Sequence, residues 1–167
     1  MGEQRDWSRF IVRINIRTTP DELYRCWATR AGIESWFLRL SEYRNRKGQL
    51  RDEREEVEKG DSYKWLWHGW PDDTVEHGTI LEANGRDLIS FSFGKAGNCR
   101  VRIYQEFGEQ LLELVQEDIP VDDHGWHTYH VGCKTGWTFY LANLKSICEG
   151  GIDLRNRNEQ LEEMLNS

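Results

Sequence analysis

The sequence predicts an α+β fold in which a curved antiparallel sheet of six to seven strands wraps around a long C-terminal helix, with two short helices after strand 1. Two observations predict it. Strand-like alternation with turn residues between the runs fills the middle of the chain, and over the last third the apolar residues recur at spacings of three and four. We expect residues 1–150 to form a single domain and residues 151–167 to form a polar tail with room for one short helix.

Composition and charge exclude several classes of protein. The chain has 167 residues and a formal net charge of −7, so its field repels phosphate backbones and we expect no nucleic-acid partner. No apolar stretch approaches the roughly 18 residues of a membrane span, and the N-terminus shows no apolar signal segment. The cysteines form no C-x-x-C pair, which favours reduced, buried thiols in a cytoplasmic protein. These cysteines are Cys26, Cys99, Cys133 and Cys148.

The N-terminal part of the chain predicts one strand and two short helices. Residues 9–17 alternate apolar and polar side chains, as in a strand with one buried face. Thr19 is a good N-cap, Pro20 suits the first helical position, and Glu22 can return a hydrogen bond to the cap, so a helix begins here. The second short helix is predicted to carry Ile33, Trp36 and Phe37.

The middle of the chain predicts a meander of antiparallel strands. The pairs Asn84-Gly85 and Gly108-Glu109 have the composition of tight hairpin turns, which join neighbouring strands. Before these turns, the charged segment 44–60 predicts a mobile, solvated hairpin or insertion. The net positive charge of residues 39–54 leaves docking to an acidic partner as the alternative. The five strand-like runs cover residues 62–68, 75–83, 88–93, 99–107 and 110–117.

The last third predicts one long amphipathic helix. From His130 to Cys148 the apolar residues fall on one face, and Gly150-Gly151 is a typical glycine stop. Histidines and a cysteine recur every three residues at its start, and both residue types are zinc ligands. On a helix such a step turns backward by roughly 60°, so four of these residues spread over half the circumference instead of converging. We therefore predict no metal site and interpret His130 as a hydrogen-bonded core or cavity residue.

Several local segments resemble one known family. They are Val12 to Ile16, the Thr19-Pro20 helix start, Trp27, Ile33-x-x-Trp36-Phe37, Gly136-Trp137, Leu141 to Lys145 and Glu149-Gly150. With the order of elements, they resemble the START-like (SRPBCC) superfamily, in its Hsp90 ATPase activator-like branch. The resemblance covers roughly residues 8–150 and implies a helix-grip fold. The eukaryotic co-chaperone of that branch carries a separate N-terminal domain that these residues do not include.

One predicted strand carries an aromatic face. In residues 62–68 every second side chain is aromatic, so these rings point to the same side of the sheet. If that side faces the long helix, the rings line a cavity suited to a flat or fatty apolar ligand; the alternative is that they fill the space completely. The predicted ligand-binding residues are Tyr63, Trp65, Trp67, Phe91, Phe93, His130 and Trp137.

Three functions follow from these patterns. The first is a non-enzymatic domain that binds a small hydrophobic or aromatic ligand without a cofactor. The second is a co-chaperone-like module that contacts a chaperone or another protein, as a monomer or a homodimer. The third is a cavity enzyme of cyclase or hydrolase type, although no catalytic motif is present and no catalytic residue is predicted. The polar candidates for the third function are Glu82, Gln105, Gln116 and His130.

Overall fold

A computed structural model describes residues 5–165 and contains, within that range, a seven-stranded antiparallel sheet and a long helix near the C-terminus. This confirms the predicted α+β helix-grip fold. Neighbouring strands follow the order β1-β7-β6-β5-β4-β3-β2. The elements are β1 (Phe10–Asn15), α1 (Pro20–Ala28), α2 (Arg30–Glu34), β2 (Leu40–Arg44), β3 (Ser62–Leu66), β4 (Glu76–Ala83), β5 (Leu88–Ser92), β6 (Asn98–Glu106), β7 (Glu109–Glu117) and α3 (Gly132–Cys148). None of the helices in residues 5–165 has both the length and the apolar character of a membrane crossing.

The N-terminal elements form where the capping chemistry places them. The side chain of Thr19 accepts a hydrogen bond from the backbone N–H of Glu22 at 3.2 Å, and Pro20 is the first residue of α1. The second helix is shorter than predicted, because Trp36 and Phe37 follow its end. Both rings are buried, and the indole Nε1 of Trp36 donates to the Cys26 carbonyl at 2.8 Å. The chain after α2 therefore packs back onto α1.

The segment 44–60 is packed against the domain, which corrects the expectation of a mobile, solvated hairpin. Arg51 is buried and donates two hydrogen bonds to the buried carboxylate of Asp61. The backbone N–H of Val57, also buried, donates to the Ala28 carbonyl at the end of α1, at 2.8 Å. The charged composition of this segment predicts contact with solvent. Composition alone does not show that Arg51 and Asp61 pair and become buried together.

The β6–β7 hairpin turns at Phe107-Gly108, not at the expected Gly108-Glu109 pair. Both turn residues have positive φ, 50° for Phe107 and 79° for Gly108, as in a tight two-residue hairpin. Phenylalanine is an unusual choice for that conformation, and its side chain is 98% exposed. The turn is one residue earlier because the Glu106–Glu109 pair closes the ladder.

The long C-terminal helix begins differently from its prediction. Residues Gly125–Val131 form a π-helical segment that continues into α3 without a break. The end agrees with the glycine stop, since Gly150 has φ 83° and its N–H donates to the Ile147 carbonyl at 3.2 Å. A π-helical turn has more residues than an α-helical turn, so the spacing of side chains before residue 132 does not follow the α-helical period.

The segment after α3 is tied to the domain by a buried arginine. Through residue 165 this predicted polar tail contains turns but no helix. The guanidinium of Arg155 donates to the carbonyls of Glu34, Ser35 and Leu38 at 3.0–3.1 Å, and it also binds the Asp153 carboxylate. These carbonyls lie at and just after the end of α2, where no intrahelical donor reaches them. The tail therefore caps α2.

Replacing Arg155 tests this cap. We expect Arg155→Met to lower the free energy of unfolding by about 2–4 kcal/mol, because it leaves buried carbonyls without donors. Arg157→Met is the matched control. Arg157 pairs with the same Asp153 but its side chain is 60% exposed, so we expect a loss below about 1 kcal/mol. Urea unfolding followed by tryptophan fluorescence measures both. Equal losses for the two variants would contradict the cap.

Acid should weaken the same attachment. Burial pushes the pKa of Asp153 upward, but hydrogen bonds from Arg155 and Arg157 outweigh it and hold the pKa well below its ordinary value. A lowered folded pKa stabilises the protein above the unfolded pKa of about 4, and this stabilisation is lost as the pH falls toward the folded pKa. Asp153→Asn should therefore be less stable than wild type at pH 7 but lose less stability on acidification. Urea midpoints at pH 7, 5 and 3.5 measure this; parallel pH profiles for the two proteins would contradict it.

Candidate functional site

A small aromatic pocket lies between the first turns of α3 and the ends of β3 and β5. Its volume is about 170 Å³. Trp67 follows β3 and Phe93 follows β5, so the sheet side of the pocket comes from residues just past two strand ends. Nine residues line it: Phe37, Trp67, Phe93, Thr128, Gly132, Cys133, Gly136, Trp137 and Tyr140.

The ring of Phe37 lies at the centre of the aromatic contacts that shape the pocket. Its centroid is 4.9 Å from that of Trp137, 4.8 Å from Tyr140 and 5.8 Å from Trp67. The contacts with Tyr140 and Trp67 are edge-to-face, the arrangement that aromatic quadrupoles favour. Each of these four rings also lines the pocket. Packing among these four rings therefore fixes the walls of the pocket.

Two helical glycines keep the helix side of the pocket open. Gly132 and Gly136 are one helical turn apart, and both line the pocket. A Cβ atom added at Gly136 would meet no atom within 4 Å, and one added at Gly132 would meet only the His127 carbonyl oxygen, at 3.9 Å. Glycine inside a helix costs roughly 0.5–1 kcal/mol relative to alanine. Packing does not require these glycines. The helix is therefore less stable than it would be with alanine at the two positions that border the pocket.

Buried Gln116 holds one wall of the pocket in place. Its side-chain oxygen accepts from the indole Nε1 of Trp137 at 2.9 Å and from the thiol of Cys99 at 3.5 Å. Its amide donates to the Ala96 carbonyl at 2.9 Å. Burial raises the pKa of the Cys133 thiol, so this pocket-lining sulfur is a neutral, soft surface at neutral pH. The hydrogen bonds of the Gln116 side chain are therefore all made within the core, and one of them orients the Trp137 ring.

The structure divides the predicted ligand-binding residues into three groups. Trp67, Phe93 and Trp137 line the pocket. A second group, Tyr63, Trp65 and Phe91, is buried behind it: Tyr63 stacks on Trp65 with ring centroids 3.9 Å apart, and Phe91 meets Trp65 edge-to-face. These three rings fill space in the core. Of the predicted residues on the sheet, only Trp67 and Phe93, which follow strand ends, reach the pocket.

The remaining predicted residue, His130, lies outside the aromatic pocket. Its Nδ1 atom lies 2.9 Å from the Trp7 carbonyl oxygen, and its ring is held edge-on by the rings of Trp7 and Phe10. The nearby His124 instead contacts Thr128 and the ring of Tyr129. His130 thus packs the π-helical segment against the start of β1.

The polar residues considered for a cavity enzyme do not converge in this structure. Glu82 and Gln105 are exposed on the strands, and Gln116 is occupied by the bonds described above. His130 faces the N-terminal segment. Among residues 5–165, those that line the aromatic pocket include no charged side chain and no histidine.

Sequence reasoning missed four lining residues that matter. Phe37 and Tyr140 were recognised only as parts of apolar helical patterns, Gly136 was named only within a segment that resembles the family, and Gly132 was not named. A signal for the glycines was present, because two glycines four residues apart inside a strongly periodic helix need a packing or functional reason. Phe37 carried no such signal, since its position depends on the turn after α2.

A larger, open depression of about 700 Å³ lies beside the turn that follows β2. It is bordered by the 45–49 turn and by Lys59, and its floor reaches the Arg51–Asp61 pair. The Arg51–Asp61 pair is already satisfied by its own hydrogen bonds, and the remaining walls, apart from Ala83, are polar side chains in contact with solvent. The walls of the depression are mainly polar, whereas those of the aromatic pocket are mainly apolar, which favours a small ligand, so the aromatic pocket is the candidate site.

Comparison with solved structures places the fold among small helix-grip proteins. The protein SSP2350 from Staphylococcus saprophyticus matches with a TM-score of 0.68 and 17% identity over 88% of this chain and 96% of that one. The Aha1 dimer from Colwellia psychrerythraea matches at 0.61 and 13%, over 86% and 97%. DynU16, a protein in the dynemicin biosynthetic locus, matches at 0.63 and 16%, over 90% of this chain and 50% of its own length. At these identities the likeness shows the fold alone.

The sequence itself identifies the family. Among curated proteins, none matches the chain significantly. The family model described as activator of Hsp90 ATPase homolog 1-like protein matches residues 17–149, which run from just before α1 to just after α3. The chain therefore belongs to the family of Hsp90 ATPase activator homolog 1-like proteins.

Proposed function

We propose that this protein binds a small, flat, mainly apolar molecule in the aromatic pocket between the sheet and α3. The observation that carries the proposal is an open cleft walled by aromatic rings, which the helix leaves unfilled at Gly132 and Gly136. Aromatic walls with few polar groups are typical of small-molecule sites. The surrounding core is otherwise closely filled, since Trp27, Trp36 and Trp65 are all buried.

The size of the pocket favours one or two rings over a lipid. A cavity of about 150 Å³ holds a benzene molecule, and pockets for larger ligands begin at about 300 Å³. The present volume of about 170 Å³ lies close to the first value. A fatty chain of ordinary length would leave most of its atoms outside the pocket. We therefore favour the aromatic form of the ligand over the fatty form.

The chemistry of the lining favours a neutral ligand. No charged side chain among the described residues borders the pocket, so a carboxylate or ammonium group would lose hydration without gaining a partner. The hydroxyl of Thr128 and the thiol of Cys133 can meet one weakly polar substituent. The fold likeness to DynU16, which lies in a biosynthetic locus, is compatible with a small-molecule ligand.

Direct binding measurements test this proposal. Indole and naphthalene represent one and two fused rings of about the right size, and palmitate represents a fatty chain. We expect binding of at least one aromatic probe, followed by quenching of tryptophan fluorescence and by NMR shifts at Gly132 and Gly136, with palmitate weaker. Native mass spectrometry of freshly purified protein adds a search for a retained ligand. No shift at either glycine with any aromatic probe would refute the proposal.

The helical glycines offer a sharper test. Gly136→Leu should weaken binding of the aromatic probe at least tenfold, because its side chain would enter the pocket. Gly136→Ala should raise the free energy of unfolding by about 0.5–1 kcal/mol while weakening binding less, because alanine favours the helix and no atom lies within 4 Å of its Cβ.

Thr135→Leu is the matched control for these variants, since Thr135 is exposed on α3 and does not line the pocket. It should leave probe affinity unchanged. Titration calorimetry and urea unfolding measure the two effects separately. If Gly136→Leu binds the probe as wild type does, the ligand sits elsewhere.

Family membership favours a second candidate function, a protein-interaction module of co-chaperone type. It predicts that the protein binds an Hsp90-type chaperone and raises its ATP turnover. A pull-down with purified chaperone and a coupled ATPase assay measure both. Gly136→Leu separates the two candidates, because it should block the pocket without changing the outer surface. Absence of both binding and stimulation would remove this second function.

A further inference from the structure

The strand β1 has backbone groups that point away from the sheet. It is the last strand at one end of the sheet, next to β7. The N–H of Ile16 donates to the Gln110 carbonyl at 3.0 Å, and in an antiparallel pair every second residue turns its N–H and C=O toward the partner strand. Counting back from Ile16, the even-numbered residues face β7. The backbone groups of Arg9, Ile11 and Arg13 therefore point outward from the edge.

The fold uses the outward-facing groups at both ends of this edge and leaves the middle open. The Nδ1 atom of His130 lies 2.9 Å from the Trp7 carbonyl oxygen, and the ammonium group of Lys145 donates to the Asn15 carbonyl at 2.5 Å. Within residues 5–165, the outward groups of the three residues between these ends have no hydrogen-bond partner. A row of unpaired strand groups is a template for one more strand.

The helix α3 runs beside this edge and leaves space there. The contact with Trp7 comes from the turn before α3 and the contact with Asn15 from its last turns, so the helix follows β1 in the same direction. A groove of about 430 Å³ remains between Trp7 and the helix. Its other walls are His130, Val131, Lys134, Thr135 and Thr138. Side chains of a further strand that point to the helix side of the sheet would lie over this groove.

The side chains on the outer face of the edge are basic. Arg9, Arg13 and Arg17 recur every four residues, are exposed and lie on one face of the strand. Arg13 is already paired with two glutamates, one in β6 and one in β7. In the described part of the chain, Arg9, Arg17 and Lys134 form no ion pair. The edge therefore has three cations available to an acidic partner.

We propose that β1 is the docking edge for an extended acidic segment of a partner protein, which adds an antiparallel strand beside β1. Its backbone bonds to the outward groups of Arg9, Ile11 and Arg13, and its acidic side chains lie beside Arg9 and Arg17. An antiparallel second copy of this chain fits less well, because it would bring the same arginines together on one face of the joined sheet. None of these residues lines the aromatic pocket, so this site is separate from the proposed ligand site.

Hydrogen exchange of the full chain tests the open edge directly. In the free protein, the amides of Ile11 and Arg13 should exchange fast, whereas that of Val12, which faces β7, should be protected. The probe is the acetylated and amidated peptide Thr-Glu-Val-Glu-Ile-Glu-Thr. We expect it to protect Ile11 and Arg13 and to leave Val12 unchanged. A copy that is N-methylated at its glutamates keeps the charge but cannot donate toward β1, so it should protect neither amide.

Two kinds of variant separate backbone pairing from charge. Ile11→Pro removes an outward N–H without touching the ladder to β7, and it should weaken peptide binding at least tenfold. Arg9→Glu combined with Arg17→Glu keeps the backbone and should also weaken binding at least tenfold, because it reverses the charge of the face. Fluorescence anisotropy of a labelled peptide at low salt measures the affinity, and added salt should weaken binding to wild type.

Arg54→Glu combined with Arg86→Glu is the matched control. It makes the same change in net charge at two exposed arginines outside β1, one in the segment 44–60 and one in the turn between β4 and β5. It should bind the peptide within twofold of wild type. If Ile11→Pro fails to fold by circular dichroism, the double arginine variant and the exchange data still test the site.

Four results would overturn the proposal. They are slow exchange of the Ile11 and Arg13 amides in the free protein, equal binding of the N-methylated peptide, unchanged affinity in the double arginine variant, and protection that appears without peptide as the protein concentration rises. The last result would identify a second copy as the occupant of the edge. No measurement depends on the aromatic pocket, so failure here leaves the ligand proposal standing.

Discussion

The packing of Trp137 between the long helix and the sheet is the contact on which the rest of the structure depends. Its ring meets Trp27 of α1, Phe37 after α2 and Phe93 after β5, at centroid distances of 4.9–5.9 Å. Its indole N–H is bonded to Gln116 of β7. One side chain thus joins four parts of the chain, and burying aromatic rings is among the largest contributions a single residue makes to a core.

The pocket exists because this packing ends before the first turns of α3 are covered. At Gly132 and Gly136 the helix has no side chains to extend the contact, so the rings that hold the domain together also become the walls of a small cavity. Helical glycines weaken the helix, and natural proteins often accept such losses at sites of function. Stability and binding are therefore coupled at the same short stretch of helix.

Sequence patterns predicted the elements better than their contacts. The cap at Thr19 and the stop at Gly150 depend on neighbouring residues, so local chemistry was enough. The turn at Phe107 was misplaced because composition favoured the glycine pair, whereas the ladder closes one residue earlier. The burial of Arg51 was not predicted, because its partner, Asp61, lies ten residues away and a charged side chain on its own predicts exposure to solvent.

The sequence by itself determined a sheet of six to seven strands, the closing helix and the family, because periodicity, capping and the family's motifs can all be recognised along the chain without its three-dimensional contacts. Only the tertiary structure decided which aromatic residues face a cavity. Tyr63 and Trp67 share a predicted face, yet one is buried in the core and the other lines the pocket. The physical reason is that enclosure depends on what lies opposite, and the elements opposite Trp67 come from distant parts of the chain.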